Sequence, residues 1–449
     1  QSVQAAEADV NIYVAEMRFF RALEYFNKIQ LLGDVPWLEV DLNVDSEELY
    51  GPKMKRNQVF QKIIEDLDFA IQWLPEAGSE EANRLNKDIA RHVKARFCLN
   101  EGTHYKYHDE LEYASEAEKW LQMAATESDK LITSGRYEIY NTGHPQEDYF
   151  NMYRIDDKSD LKEAVLYVDY KTNIREHNMA AAGREAGCGF SKSFVESFLC
   201  SDGLPISLSN KYLGDETMRK ETANRDPRLK QLILTNDFPT NVTDDLKDST
   251  FVVNEDEFIT QHCFTGYRPI KGFNPIYSQA LYMKSSFDGI AYRYAETLLI
   301  NAEAKAELNT ITDADLDRTI NQLRDRVGMP HLTVNVGFTD PKWPDWGYSL
   351  SPILQEIRRE RCIELAGEGF RFNDLKRWKA GKVLNNVLTY VGKRKPDGNL
   401  AIVYPNYTNP DLSYQAGKSR TWEDKMYLYP IPTGELQRNP QLLPQNPGW

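Results

Sequence analysis

Tyr292-Arg293-Tyr294-Ala295-Glu296-Thr297-Leu298-Leu299-Ile300-Asn301-Ala302-Glu303-Ala304 opens a run that continues to Leu308 and consists almost wholly of strong helix formers. Helix signals spread outward from it. Downstream, Ala314–Val327 reads as a helix closed by Gly328 and Pro330. Pro352–Ala366 reads as another, with Ser351 as N-cap and proline at the first helical position, interrupted by Gly367 and Gly369 before a last helix at Phe372–Lys379. Upstream, Ile12–Leu32 carries apolar residues at helical spacing and stops at Gly33-Asp34-Val35-Pro36. Gln58–Leu74 places Val59, Ile63, Leu67, Ala70, Ile71 and Leu74 on one face and ends at Pro75. Lys87–Glu101 and Ala114–Ser134, the latter closed by Gly135, complete the set. Helix pairs of this length joined by short loops predict a mainly α fold of tetratricopeptide-like helix pairs, although no strict 34-residue repeat is visible.

Between these helical stretches the character changes. From Tyr137 to Met283, short β-rich runs such as Ala164–Tyr170 lie among loops rich in Gly, Asn, Asp and Pro. The expected organisation is a helical part over 1–136, a loop-rich lobe with short strands over 137–290, a second helical part over 291–380, and a C-terminal loop or extended region over 381–449 packing on the body. The final stretch, Pro430–Trp449, holds prolines 430, 432, 440, 444 and 447 and is expected to be extended rather than helical.

The chain has 449 residues and a net charge of -14, from 54 Lys+Arg against 68 Asp+Glu. That balance excludes nucleic acid as the expected partner, which requires a concentrated basic face. No apolar run reaches the roughly 18–20 residues of a spanning helix. The first residues show neither a charged n-region nor an apolar h-region, so any signal segment has been removed or never existed. Aromatics are plentiful, with 25 Tyr, 19 Phe and 8 Trp. Their flat apolar faces and polar edges suit glycan or peptide recognition, and equally suit helix interfaces. Cys98, Cys188, Cys200, Cys263 and Cys362 are scattered, form no C-x-x-C or Cys/His spacing, and read as small buried hydrophobes.

Catalytic signatures are wanting. There is no H-E-x-x-H, G-x-S-x-G or P-loop. Gly187-Cys188-Gly189 lacks the strand-to-helix setting of a nucleophile turn. The acids Asp156-Asp157, Asp244-Asp245 and Glu255-Asp256-Glu257 are glycosidase candidates only in the trivial sense that the chain holds 68 acids, and adjacent acids in turns are ordinarily solvated. His104 and His108 are spaced i, i+4 with no third ligand nearby. Asp313, Asp315 and Asp317 read as helix N-terminal acids rather than a calcium loop. No metal and no cofactor is expected. Arg358, Arg359, Glu360, Arg361, Glu364, Glu368 and Arg371 lie three or four apart, so opposite charges can meet along a helix face and reach carbonyls near Gly367. This predicts a fold-stabilising network rather than a catalytic dyad.

Seven segments, in order, resemble the SusD/RagB family. They are Arg18-Phe19-Phe20-Arg21-Ala22 through Gly33-Asp34-Val35-Pro36; Ile64-Glu65-Asp66-Leu67 with Leu74-Pro75; Ser193–Phe198 with Asp202–Ile206 and Asn224–Leu229; Tyr292–Ala304; Ile320–Pro330; Ile357–Arg361 with Glu364-Leu365, Glu368-Gly369, Arg371 and Asp374–Trp378; and Tyr429–Pro432 with Asn439-Pro440 and Gln445–Trp449. The resemblance implies a non-enzymatic, surface-exposed outer-membrane lipoprotein that captures an oligosaccharide and passes it to a SusC-like TonB-dependent transporter. Oligopeptide capture is the alternative within the family, and a glycoside hydrolase on a helical scaffold the alternative outside it. The early motif falls at residue 18, sooner than is usual in the family. The implied lipidated cysteine and a further helix are therefore expected to precede residue 1.

A glycan surface of the family's kind is shallow, exposed and built on loops, where sugar C–H faces stack on rings and hydroxyls bond amides and carboxylates. Three stretches offer this. The connector after Pro36 holds Trp37, Asp41, Asn43 and Tyr50. The Pro/Gly-rich loop Trp343-Pro344-Asp345-Trp346-Gly347-Tyr348 contributes Trp343, Trp346 and Tyr348. The late loop contributes Tyr404 and Tyr407, with Tyr414. For Trp37 the competing reading is a packing plug, and for the Trp343 stretch, core packing ahead of the Arg/Glu helix.

Overall fold

The computed structural model describes residues 7–79, 83–180, 189–260, 262–402 and 420–449. Packing divides the chain into two compact units. One is built from the described residues of Gln1–Leu131, Lys376–Gly381 and Trp422–Trp449, the other from those of Ile132–Leu375 and Lys382–Thr421.

The first unit is a stack of long helices, α1 (Glu7–Leu32), α2 (Arg56–Trp73), α3 (Lys87–Tyr107) and α4 (Ala117–Thr133). Phe19, Ala22, Phe26 and Ile29 recur at helical spacing and form the buried stripe of α1. The Phe26 ring stacks on Phe97 of α3 with centroids 3.6 Å apart, and Phe60 of α2 meets Trp120 of α4 edge-on at 4.8 Å. α3 runs through Gly102 to Tyr107, past the expected end at Glu101. Gly102 is there for close approach: a Cβ on it would lie 2.9 Å from Leu121 Cγ and 3.0 Å from Leu121 N of α4. His104 on the last turn of α3 and His108 at its C-cap have rings 4.0 Å apart, and a His108 ring nitrogen meets the Lys376 carbonyl at 2.8 Å.

The proline-rich tail belongs to this unit and departs from expectation in two places, one of them a 3-10 turn at Pro440–Leu442. Thr433–Arg438 is a short helix. Proline forbids helix interiors, but this six-residue interval is proline-free, and Pro432 sits at its N-cap, where a missing N–H costs nothing. The rest of the tail is stitched down by backbone-directed bonds. Tyr429 N–H donates to Leu31 O at 2.7 Å, Asn446 Nδ2 to Leu32 O at 3.0 Å, Asn439 Nδ2 to Gly51 O at 2.9 Å and Lys53 Nζ to Pro444 O at 2.7 Å.

The second unit is loop-rich. Among the described residues its strands form three two-stranded antiparallel pairs: Ala164–Val168 with Gly289–Arg293, Pro239–Val242 with Ser249–Phe251, and Val391–Arg394 with Leu400–Ile402. The first pair sets Ala164 opposite Arg293, which brings Glu163 beside that arginine. The helices Tyr294–Glu307 and Pro352–Glu364 pack together, and Ser351 caps the latter by accepting from Leu354 N–H. The expected helix over 314–327 is instead two, Asp313–Asp317 and Ile320–Arg326. Thr312 and Asp315 form a capping box at the first, confirming the acids there as N-terminal. The Thr319 hydroxyl then takes the Asp315 carbonyl, and its backbone leaves helical geometry. A core of Tyr149, Phe198, Leu229, Leu232, Tyr267, Phe273, Val327 and Ile363 lies under the loops.

Cys98 and Cys200 are buried free thiols, Cys362 is a half-buried one and Cys263 is buried; Cys188 lies outside the described residues. Among the described residues no helix is long and apolar enough to cross a membrane. Replacing Gly102 by Val forces α3 from α4 and is expected to cost about 1–3 kcal/mol. Gly434→Ala, where an added Cβ meets nothing within 4 Å, is expected to stay within about 0.5 kcal/mol of the parent. Urea unfolding of the two variants checks both.

Candidate functional site

The Arg/Glu helix Pro352–Glu364 organises the second unit, and does so across elements rather than along its own face. Glu364 accepts from Arg326 Nη2 at 2.6 and 2.7 Å, from Arg293 Nη1 at 2.7 Å and from Arg228 Nη1 at 3.0 Å. Arg293 also reaches Glu163 at 3.1 Å and Glu368 at 2.7 Å. Arg358 pairs with Glu307 at 3.0 Å, Arg359 with Asp340 at 2.6 Å and Arg361 with Asp374 at 2.9 Å. One i, i+3 ion pair does form along the helix, Arg359 to Glu356 at 3.1 Å, with a carboxylate outside the set of charges expected to pair. The carbonyls near Gly367 are satisfied too, though by outside donors: Lys271 Nζ to Ala366 O at 2.8 Å and Arg293 Nη2 to Glu364 O at 2.6 Å.

These charges are buried. Burial pushes the Glu364 carboxyl up, and the surrounding Arg326, Arg293 and Arg228 outweigh it, holding the group well below the usual carboxylate range. Burial likewise draws Lys271 down to about 8 although Glu368 opposes it. Glu364 and Glu368 are therefore held as ionised acceptors for fixed cations, not as proton donors in a cleft.

The N-terminal half of the same helix fixes the aromatic loop ahead of it. The indole N–H of Trp343 donates to Glu356 Oε1 at 2.7 Å and that of Trp346 to Gln355 Oε1 at 2.6 Å. Arg358 lies 5.0 Å above the Trp346 ring and donates to the Tyr348 hydroxyl at 3.1 Å. Trp346 is buried, whereas Trp343 and Tyr348 are half-buried. Beside this loop lies an open hollow of about 690 Å³ lined by Val334–Thr339 and Ser351–Ile353. Phe338 both lines it and packs against Trp343, the ring centroids 6.2 Å apart. Sequence reasoning missed this hollow; the apolar alternation Val334, Val336, Phe338 ahead of the helix was the available signal.

The connector of the first unit is arranged differently. The Trp37 ring packs on Tyr25 at 4.2 Å, with the Arg21 guanidinium at 5.0 Å. The Tyr25 hydroxyl accepts from Leu38 N–H at 2.8 Å. Asn43 turns its side-chain oxygen to Asp45 N–H at 2.9 Å, leaving Asp41 and Tyr50 exposed nearby. Trp37, Asp41, Asn43 and Tyr50 thus share one connector of the first unit, and Trp343, Trp346 and Tyr348 one loop of the second. Tyr404, Tyr407 and Tyr414 lie outside the described residues.

Residues 131–449 match the model of the SusD family. The chain is 24% identical to SusD-like protein P2 of Formosa agariphila, over 99% of this chain and 75% of the relative. It is similar in fold to a SusD-like protein from Bacteroides fragilis, at 25% identity and a TM-score of 0.74 over 99% of this chain and 81% of that one. A SusD-like carbohydrate-binding protein from the same organism aligns at 22% identity and a TM-score of 0.73, over 98% of this chain and 82% of that one.

Two outcomes test the charge lattice. Glu364→Gln leaves three guanidinium groups short of their shared partner, an expected loss of about 3–5 kcal/mol in denaturant unfolding. Lys271→Met removes a base whose folded pKa is depressed below its unfolded value. Between pH 8 and about 10.4 the unfolded chain holds this proton while the folded chain has released it, so the group makes stability rise with pH. The parent is expected to gain on the variant by roughly 1 kcal/mol per pH unit across that window, read by urea unfolding at stepped pH.

Proposed function

Because this chain belongs to the SusD family, we propose that it captures an oligosaccharide at the outer-membrane surface and delivers it to a SusC-like TonB-dependent transporter, breaking no bond. The lipid anchor implied by the family resemblance is part of this reading. The observation that carries it is the open hollow beside Trp343. Its volume, about 690 Å³, lies in the range ligand sites occupy. Its wall alternates apolar surface (Val334, Val336, Phe338, Ile353) with Asn335, Thr339 and Ser351. The apolar side chains suit sugar C–H faces, while the amide and hydroxyls suit sugar hydroxyls. Trp343, packed on Phe338, edges the site, and Tyr348 lies on the same loop. Trp346 is buried and supports the loop from beneath. Trp37, Asp41, Asn43 and Tyr50 offer a second contact surface on the connector.

A binding role without chemistry fits the carboxylates. Glycoside hydrolysis needs one carboxyl protonated and one ionised across a cleft. Glu364 is instead held ionised by three arginines, and Glu368 by Arg293 and Lys271.

A glycan-array and affinity-gel screen of the purified chain, alongside Phe338→Ala, Asn335→Ala and Trp343→Ala, tests the proposal. The expected result is retention by one glycan class, weakened about tenfold or more in Phe338→Ala and Trp343→Ala with thermal unfolding still cooperative. Retention by peptides and by no glycan replaces the proposal with oligopeptide capture. Turnover of a glycan by the pure protein, abolished by changing one carboxylate, ends the binding-only reading.

A further inference from the structure

The hollow beside Trp343 offers hydrogen bonds without charge. Its wall presents the Asn335 amide and the hydroxyls of Thr339 and Ser351. Among the described residues that line it there is no Lys, Arg, His, Asp or Glu. An amide and a hydroxyl each donate and accept, which suits a sugar hydroxyl, itself both donor and acceptor. A sugar carboxylate or sulfate only accepts. As an ion it also needs charged donors in place of the water it gives up.

The surroundings do not supply those donors. Bases on the adjoining segments are already committed: Lys342 reaches Glu196 at 3.0 Å, Arg359 reaches Asp340 at 2.6 Å and His331 reaches Asp325 at 2.7 Å. The start of the Pro352–Glu364 helix forms part of the wall, yet it is a poor anion cradle. Pro352 has no N–H, and the Leu354 N–H donates to Ser351 Oγ, so of the first three helical residues at most Ile353 has an amide to offer. The wall is instead backed by negative charge. Asp313 is exposed, and its Oδ1 accepts from the N–H of Val334, a lining residue, at 2.7 Å. Asp345, on the Trp343 loop, is exposed as well. The net charge of -14 has the same sign.

We infer that this hollow selects uncharged oligosaccharides and turns away those carrying uronate or sulfate groups, with Asp313 supplying the nearest repulsion. This names the ligand class of the site and rests on the glycan capture proposed above. Selection has two parts: the wall lacks charged donors for an anion, and a fixed like charge stands behind it. They differ in salt dependence. The field of an exposed carboxylate is screened within about 10 Å at roughly 0.1 M salt, whereas missing donors stay missing.

The test is affinity-gel retention of the purified chain on amylose, xylan, galactan, mannan and β-glucan. Each is run beside its own sulfated and carboxymethylated derivatives, with alginate and polygalacturonate alongside. Gels are run at roughly 0.05 M and 0.5 M salt. The expected result is retention by a neutral polysaccharide, about tenfold weaker on its charged derivatives and lost in Phe338→Ala. In Asp313→Asn, which keeps an oxygen for the Val334 N–H, the ratio of neutral to charged retention is expected to narrow at low salt. Retention of a charged polymer as strong as that of its neutral parent, or of alginate or polygalacturonate alone, overturns this inference and leaves glycan capture intact. So does neutral retention that Phe338→Ala leaves unchanged, which moves the ligand away from the hollow. A ratio unmoved by Asp313→Asn at low salt overturns the role of Asp313. No retention by any polymer overturns both this inference and the capture reading.

Discussion

One carboxylate, Glu364, receives guanidinium groups from three separate segments, and the second unit is arranged around it. Arg228 follows the Asp226-Pro227 turn, Arg293 ends a strand, and Arg326 ends a short helix. Each ion taken out of water costs several kcal/mol, which only close, multiple pairing repays. The lattice therefore has little tolerance for alternatives. If the last turn of the Pro352–Glu364 helix shifted, several buried charges would lose partners together. Such a constraint contributes to uniqueness of structure more than to net stability, since an apolar core of equal volume serves stability as well.

That rigidity passes along the helix to the surface. The C-terminal half carries Glu360, Arg361 and Glu364, bonded to Arg324, Asp374 and the three arginines. The N-terminal half carries Gln355, Glu356, Arg358 and Arg359, which hold Trp346, Trp343, Tyr348 and Asp340. A loop that would otherwise be free to rearrange is tied at four points to a helix that cannot move independently. The hollow lined by Val334–Thr339 and Ser351–Ile353 inherits this fixed geometry. A preorganised site loses less entropy on binding, an advantage for a protein that must hold a flexible ligand on an open surface.

The first unit solves the same problem with apolar packing. Stacked and edge-on rings join α1 to α3 and α2 to α4, and among the described residues buried ion pairs such as Arg56 with Glu101 and Lys94 with Glu127 also span its helices. The tail then closes the end of α1 through backbone carbonyls at Leu31 and Leu32, and reaches the connector at the Gly51 carbonyl. Those carbonyls are helix-end or turn groups that lack intrahelical partners, and the tail's amides supply them.

The sequence by itself determined the helices, their caps and the class of the fold. Propensity, 3.6-residue periodicity, the Ser351-Pro352 start and the Gly33 and Gly135 stops all act within a few residues and are readable locally. It also showed that the charges of the 358–371 stretch are structural. What it could not supply was their partners: Arg293 lies 71 residues from Glu364 and Arg228 lies 136. Nor could it say that Trp346 faces inward while Trp343 borders a hollow, because both are indoles in one proline-rich loop. Helix formation is a local equilibrium of backbone and neighbouring side chains. Charge pairing and pocket shape are set by which distant segments the folded chain brings together, and only the tertiary structure decides that.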